Sequence, residues 1–421
     1  MRSNKRFKRI ICVLTAALFS ATILSSCGLS NEAAEESKAA SYDEIFTIGI
    51  MVPDSGEYSY YSIGTELIME KIAESFYEET GVYLQYYIAE NYDGSGSEAA
   101  DIVEELVTEK EAQIIIAAHG DENVCAVCAA CERLGVLCIA ADCDLDSWLS
   151  SGPYDNSFCV SYSTLSRLYA LASNWDEISD APVVGVLIAS GNDADDILDI
   201  YDDIAYDTGA TVIDPGRYTE GQTDYESIIS AFETSGCEII TGIMNADDFA
   251  VFMQQADEEE YYPEIIAVAD ACLFERAMLS LYGLGDGLYT DVSWCVSYGS
   301  DEGLLISSQD IEDIIKENYG VSAPQSAGLF AAAVQTALEA AIRSGIFETE
   351  TADEEDGSQT AQALITAAKE TDLETVLGEV SFDEDGACLV STALGFWSYD
   401  ADSDSCTFTV TEDESEDTED E

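Results

Sequence analysis

Residues 112–141 read AQIIIAAHGDENVCAVCAACERLGVLCIAA. The apolar run Ile114-Ile115-Ile116-Ala117 predicts a buried strand, residues 122–134 predict a helix, and Val136-Leu137-Cys138-Ile139-Ala140 predicts a second strand. The same unit repeats upstream. Phe46–Val52 is a β-rich run ended by Pro53 and Gly56, and a helix with Ile63, Leu67, Ile72 and Phe76 on one face follows it. Val82–Ile88 is the next strand and 96–109 the next helix. Strand–helix alternation with short connections is the pattern of an open parallel sheet covered by helices on both faces.

A second run of this kind starts after Pro182. Strand Val183–Ala189, helix 193–208, strand Thr211–Ile213, helix 224–235, strand Glu238–Ile243, helix 246–258 and strand Ile265–Ala269 follow one another. The expected fold class is therefore α/β, with two doubly wound parallel-sheet lobes in tandem. The remainder holds helices near 308–318 and 324–344, the second with Phe330, Val334, Leu338 and Ile342 near one stripe. Residues 348–358 (ETETADEEDGS) read as a solvated acidic insertion, Val380–Phe382 and Leu389–Trp397 as strands, and 411–421 as a disordered like-charge tail.

The N-terminus carries an address. Arg2, Lys5, Arg6, Lys8 and Arg9 precede an apolar run from Ile10 to Leu24, and Leu24-Ser25-Ser26-Cys27 closes it. A basic stretch, an apolar stretch and a small-residue cleavage site make a secretory signal peptide over 1–26. The apolar run is short of the roughly 20 residues of a transmembrane span. A cut just before a cysteine resembles the lipobox of bacterial lipoproteins, which implies that Cys27 carries a lipid on the outer face of the cell membrane. Residues 28–44 are small and polar, and with Cys27 form an expected tether over 27–44.

Beyond the leader about 395 residues remain, enough for two domains. Asp and Glu number 85 against 15 Lys and Arg, a formal charge of −70 that the basic leader only understates. Such a surface repels nucleic acid and anionic headgroups, which need cationic patches, and argues against a nucleic-acid function. Of 13 cysteines, Cys12 leaves with the leader and Cys27 is the lipid site. The odd remainder cannot all pair within one chain, and its spacing suggests no disulfide framework. Cys125, Cys128 and Cys131 form a C-x-x-C-x-x-C run. Cys138 does not continue it as a ferredoxin would, so the expected role is apolar packing of a helix on a sheet.

The succession of elements resembles the type I periplasmic binding proteins, in particular the leucine/isoleucine/valine-type substrate-binding proteins of ABC transporters, over about residues 45–400. Pro53-Asp54-Ser55-Gly56 is similar to the family's first-strand loop, and Ala112–Ala140 to the unit carrying its Gly-Pro-x-Ser-Ser loop. Gly209-Ala210-Thr211-Val212 with Tyr218 and Thr223-Asp224-Tyr225, the helix within Gly320–Ala341, and Gly378–Gly386 are similar to later signatures. The resemblance implies two lobes joined by three crossings, with 45–163 and 291–386 in lobe 1, 164–290 and 387–410 in lobe 2, and a ligand in the cleft.

Ligands of doubly wound sheets sit outside the carboxyl ends of the strands. The loops there supply Ser55, Gly56 and Tyr58, His119, Gly120 and Asp121, and Ala141 and Asp142 from the first lobe. Ser190, Asn192, Asn245, Asp247 and Asp270 come from the second. The family holds an amino acid by hydroxyls and backbone N–H groups for the carboxylate and an acidic residue for the amine. Here Gly120-Asp121 stands at the Ser-Ser pair and Ala140 or Ala141 at a later serine, while Tyr58 or Tyr61 would have to replace an aromatic of the second lobe. Four aspartates (Asp121, Asp142, Asp247, Asp270) near one cleft would favour an amine-bearing ligand, because an unpaired buried carboxylate is costly.

Enzymatic chemistry finds little footing. His119 is the sole histidine, and there is no G-x-S-x-G elbow or phosphate-cradling loop. Asp400–Asp404 starts like a calcium loop but lacks its sixth-position glycine and has Thr411 at the twelfth, so a polar hairpin turn is expected. Neither metal nor cofactor is expected. The leading expectation is a lipid-anchored receptor delivering a small amino-acid-like solute to an ABC permease. A sensory lipoprotein presenting its ligand to a membrane receptor or kinase is the alternative.

Overall fold

Apolar, β-rich runs form the strands of the protein in a computed structural model that describes residues 42, 44–55, 60–89, 92–191, 193–271, 273–301, 305–347 and 357–411. The leader, Cys27, nearly all of the tether, the acidic segment 348–356 and the tail beyond Thr411 lie outside the described residues. The first lobe opens with β1 (Ile45–Met51), α1 (Thr65–Thr80), β2 (Tyr83–Ile88) and α2 (Gly96–Thr108). It continues with β3 (Ile114–Ala118), α3 (Asp121–Leu134), β4 (Leu137–Ala141), α4 (Leu145–Ser151) and β5 (Ser157–Ser161). The second lobe comprises α5 (Thr164–Ala172), β6 (Val183–Leu187), α6 (Ala194–Thr208), β7 (Thr211–Ile213), α7 (Glu226–Ser235), β8 (Ile239–Met244), α8 (Ala246–Glu258), β9 (Ile265–Asp270), α9 (Glu275–Ser280) and β10 (Tyr289–Val292).

The chain then returns to the first lobe with α10 (Ser308–Tyr319), α11 (Gln325–Arg343), α12 (Gly357–Lys369), the hairpin β11 (Asp372–Thr375) and β12 (Gly378–Ser381), and β13 (Ala387–Leu389). It finishes in the second lobe with β14 (Ala393–Asp400) and β15 (Ser405–Val410). The six-stranded first sheet runs β13-β5-β4-β3-β1-β2 and the seven-stranded second sheet β15-β14-β10-β9-β8-β6-β7. Registers such as Ile48↔Ile114 and Ile116↔Ile139 align the branched side chains of neighbouring parallel strands. β14 and β15 add the antiparallel edge, and Asp400–Ser405 is their hairpin turn. The fold is α/β with two doubly wound lobes.

The chain crosses between lobes three times, after Ser161, after Val292 and after Leu389. Two of these differ from the expected 290/291 and 386/387 boundaries. Asp291 and Val292 still pair with β14 in the second sheet. Ala387–Leu389 pair with Cys159–Ser161 in the first, where the Cys159 N–H donates to Gly386 O and the Val390 N–H to Ser161 O. Strands of three or four residues carry too little pattern to reveal which sheet they join.

Helix α11 is buried along most of its length and anchors the first core, with Leu329, Phe330, Val334 and Leu338 against Ile116, Ile139 and Val160. Gly328 is required there. A Cβ on it would enter the indole of Trp294, which belongs to the second crossing. On the opposite face of the same sheet, Cys128, Cys131, Cys138, Cys143 and Cys159 pack with Trp148. The C-x-x-C-x-x-C residues therefore do sit on a helix against a sheet. Ten cysteines are free thiols among the described residues.

Candidate ligand cleft

At the carboxyl ends of β3, β4 and β9 the backbone turns sharply. His119, Asp142 and Asp270 take positive φ values of 71°, 54° and 63°, a conformation that non-glycine residues adopt at a cost of order 1–3 kcal/mol. Gly120, at φ 88°, takes the neighbouring position where a side chain would be strained, and its N–H donates to Asp142 O at 3.0 Å. Strain gathered at three strand ends marks this as the place where the fold spends stability on geometry.

The side chains at these turns join into one chain of polar contacts. His119 Nδ1 lies 2.7 Å from Asp142 Oδ2, with His119 fully buried and Asp142 2% exposed. Tyr162 donates its phenol to Asp142 Oδ1 at 3.2 Å. The Arg167 guanidinium stacks over the Tyr162 ring at 4.7 Å. Arg167 then donates from Nε to Asp291 Oδ2 at 2.8 Å and from Nη2 to Asp270 Oδ1 at 2.6 Å. This chain runs from β3 of the first lobe, through the first crossing, to β9 and β10 of the second. Burial opposes the charge on Arg167, yet Asp270 and Asp291 outweigh it and hold its pKa well above the ordinary value. Burial, reinforced by the Asp142 carboxylate, pushes the Tyr162 phenol well up, so it stays a donor.

Aromatic rings close over this chain. Tyr61 lies 6.0 Å and Phe330 6.5 Å from the His119 ring, centroid to centroid. Phe274, from the second lobe, meets Tyr61 edge-on at 5.0 Å and Tyr60 at 5.8 Å. Asp121 opens α3 and accepts from the Asp144 N–H at 2.8 Å. Although it keeps contact with solvent, the protein crowded around it raises its carboxyl above the usual range, and Asp144 and Asp270 add like charge.

The other expected residues have different roles. Ala141 is packed into the first core. Ser55 is tied down, its hydroxyl donating to Tyr92 O at 3.0 Å. In the second lobe, Ser190 donates both its N–H and its hydroxyl to Tyr218 O. Asn245 caps α8 by accepting from the Asp248 N–H at 2.9 Å. Asp247 is exposed in the first turn of α8. The buried carboxylate there is its neighbour Asp248, which accepts from Gly221 N at 2.9 and 3.0 Å and from Asn245 Nδ2 at 2.8 Å. Gly56, Tyr58 and Asn192 lie outside the described residues.

Of the four aspartates expected to draw in a cation, Asp142 and Asp270 are thus already paired, Asp247 is at the surface, and Asp121 is exposed and accepts from the Asp144 N–H.

Tyr162, Arg167, Asp291 and Phe274 join these contacts and were not among the expected residues. Arg167 had a signal: a lone cation between Leu165 and Leu168 on an apolar helix of a chain with few cations. A cavity of about 180 Å³ shares Asp291 with this chain of contacts and lies between Trp294, Glu312 and Lys316 on one side and Trp397 and Phe408 on the other. Among the described residues, no group of three or more His, Cys, Asp or Glu is placed to hold a metal, and no helix is long and apolar enough to cross a membrane.

Solved proteins share this architecture. The leucine-binding protein LivK of Thermotoga maritima matches with a TM-score of 0.66 at 15% identity, over 86% of this chain and 97% of that one. The branched-chain amino acid transporter substrate-binding protein LivJ of Streptococcus pneumoniae, in complex with isoleucine, matches at 0.66 and 14%, over 87% and 99%. A solute-binding protein of an ABC transporter from Rhodopseudomonas palustris, in complex with p-hydroxybenzoic acid, matches at 0.69 and 13%, over 88% and 96%. At such identities the likeness is one of fold. No curated protein matches the chain in sequence. The sequence model of the periplasmic binding proteins, however, matches residues 46–397, which takes in most of both sheets. The chain belongs to the periplasmic binding protein family, a family of solute-binding proteins rather than enzymes.

Proposed function

We propose that the protein is a lipid-anchored, extracytoplasmic receptor that closes its two lobes on a small amino-acid-like solute and delivers it to the permease of an ABC transporter. The observation that carries this reading is the polar chain from His119 to Asp291. Its members come from both lobes and from the first crossing, so a solute held beside it touches groups whose spacing changes as the lobes open. Contacts available only in the closed form shift the open–closed equilibrium toward closure. The lipid at Cys27 and the polar tether after it would keep the cleft near a membrane partner.

A thermal-shift screen over amino acids, polyamines, amides and hydroxybenzoates tests the binding step. A solute that binds only the folded form raises the melting temperature, by about 2.7 kcal/mol of stability at a hundredfold excess over Kd. A flat screen would overturn the reading. Substitution Cys27→Ala tests the anchor: the variant is expected in the medium and the parent in the membrane fraction. Deleting the gene is expected to abolish uptake of the identified solute; unchanged uptake removes the permease from the proposal.

A further inference from the structure

The His119 ring is half satisfied. Nδ1 is held by Asp142 at 2.7 Å, while Nε2 is buried with no hydrogen-bond partner. Buried polar atoms in native proteins are nearly always paired, so an orphan at a strand end lined by strained residues calls for an explanation. We propose that His119 determines specificity by accepting, through Nε2, an N–H from an amine-bearing solute. The inference rests on the solute-binding reading above and names the chemistry of that site.

The tautomer follows from the partner. Asp142 is an acceptor and receives the Tyr162 phenol on its other oxygen, so the hydrogen on the imidazole stands on Nδ1. In the neutral imidazole Nε2 then presents a lone pair, which a donor completes.

The charges around it choose among donors. Asp121 and Asp270 are close enough to raise the proton affinity of Asp121. Arg167 stands between Asp270 and Asp291, so that cluster carries more negative than positive charge. An ammonium group relieves this repulsion, whereas a carboxylate without an amine adds to it. The phenol of a hydroxybenzoate could reach Nε2, but its carboxylate would have to enter the same acidic surroundings.

His119 is the only histidine in the chain, so nitrogen NMR on full-length protein labelled in the imidazole reports on one residue without mutagenesis. The probes are L-leucine, L-tyrosine and putrescine, with 4-methyl-2-oxopentanoate and p-hydroxybenzoate as amine-free comparators. The expected result is a saturable displacement of the Nε2 resonance by at least one amine, with Nδ1 still carrying its proton and no displacement by the comparators. His119→Phe is expected to weaken that amine at least tenfold, and His119→Gln, which keeps an acceptor, less.

An amine that raises the melting temperature yet leaves Nε2 unmoved overturns the proposal. So does p-hydroxybenzoate displacing Nε2, or His119→Phe binding the amine as tightly as the parent. If only amine-free probes bind, the receptor reading stands and this inference fails. If no probe binds at all, both fail together.

Discussion

Two polar clusters stand at the strand ends of this molecule, and their hydrogen bonds run in opposite senses. Around Asp248 every bond turns inward: the carboxylate takes the Gly221 N–H and the Asn245 amide, and Asn245 takes the Asp248 N–H in return. That cluster ties the loop before α7 to the start of α8 and leaves nothing over. The cluster from His119 to Asp291 instead runs across both lobes and ends in a buried ring nitrogen with no partner. Residue type does not distinguish them, since both are aspartates and polar neighbours at the ends of parallel strands. What separates scaffold from site is where the bonds go.

The largest test strikes the interlobe cluster. Asp291 is fully buried and holds Arg167 through two contacts. Asp291→Ala leaves a buried guanidinium short of a partner and is expected to cost about 3–5 kcal/mol in urea denaturation. The pair Arg167→Met with Asp291→Leu should recover most of that loss, because the penalty belongs to the stranded charge. A loss below about 1 kcal/mol for Asp291→Ala would mean that Asp270 alone suffices, and that the cluster is weaker than its geometry.

Asp248→Ala strikes the scaffold cluster. Two buried donors, Gly221 N and Asn245 Nδ2, lose a charged acceptor, and a loss of about 2–3 kcal/mol is expected. Solute affinity, measured by calorimetry below the melting transition, should stay within about twofold. A tenfold fall in affinity would erase the distinction between the clusters. Asp142→Asn should do the reverse. It retains one acceptor oxygen, so about 1 kcal/mol of stability is at stake, but the His119 tautomer is no longer enforced and solute affinity should fall about tenfold, or 1.4 kcal/mol.

The contrast also explains which parts of the molecule the residues announced. Both sheets were legible because Ile114–Ala118 and Val183–Leu187 are short, apolar and separated by helices of the right length. β10 and β13 were assigned across the wrong boundaries because four or three residues pair equally well with either sheet until the tertiary fold decides. His119, Asp142 and Asp270 could be placed at the carboxyl ends of strands because the strand–helix alternation alone locates those ends. Arg167 stood out as a lone cation on an apolar helix, but its partners, 103 and 124 residues away in sequence, could not be read from it. Asp247 was preferred to Asp248 by one position. The cap at Asn245 had a readable signal, since a residue three places after an N-cap is the one that turns back to it.

The smallest effect concerns Asp121, at the start of α3. Asp121, although exposed at the surface, is raised above its ordinary 3.8, chiefly by desolvation from the protein crowded around it, with Asp144 and Asp270 contributing. An acid whose folded pKa exceeds its unfolded one holds its proton more tightly in the folded state. Between those two values the folded protein binds more protons than the unfolded chain, so stability falls as pH rises through that window. The full penalty applies above the raised value and none below 3.8. Asp121→Asn can still accept from the Asp144 N–H and removes the charge. It should therefore match the parent below the window and exceed it at neutral pH, by no more than a few tenths of a kcal/mol because solvent screens the exposed carboxylate. Denaturation midpoints at both pH values check the sign. The same variant separates burial from function: if an ammonium occupies the space between Asp121 and Asp270, the more stable protein will be the poorer receptor, and equal affinity for the amine would place the ligand elsewhere.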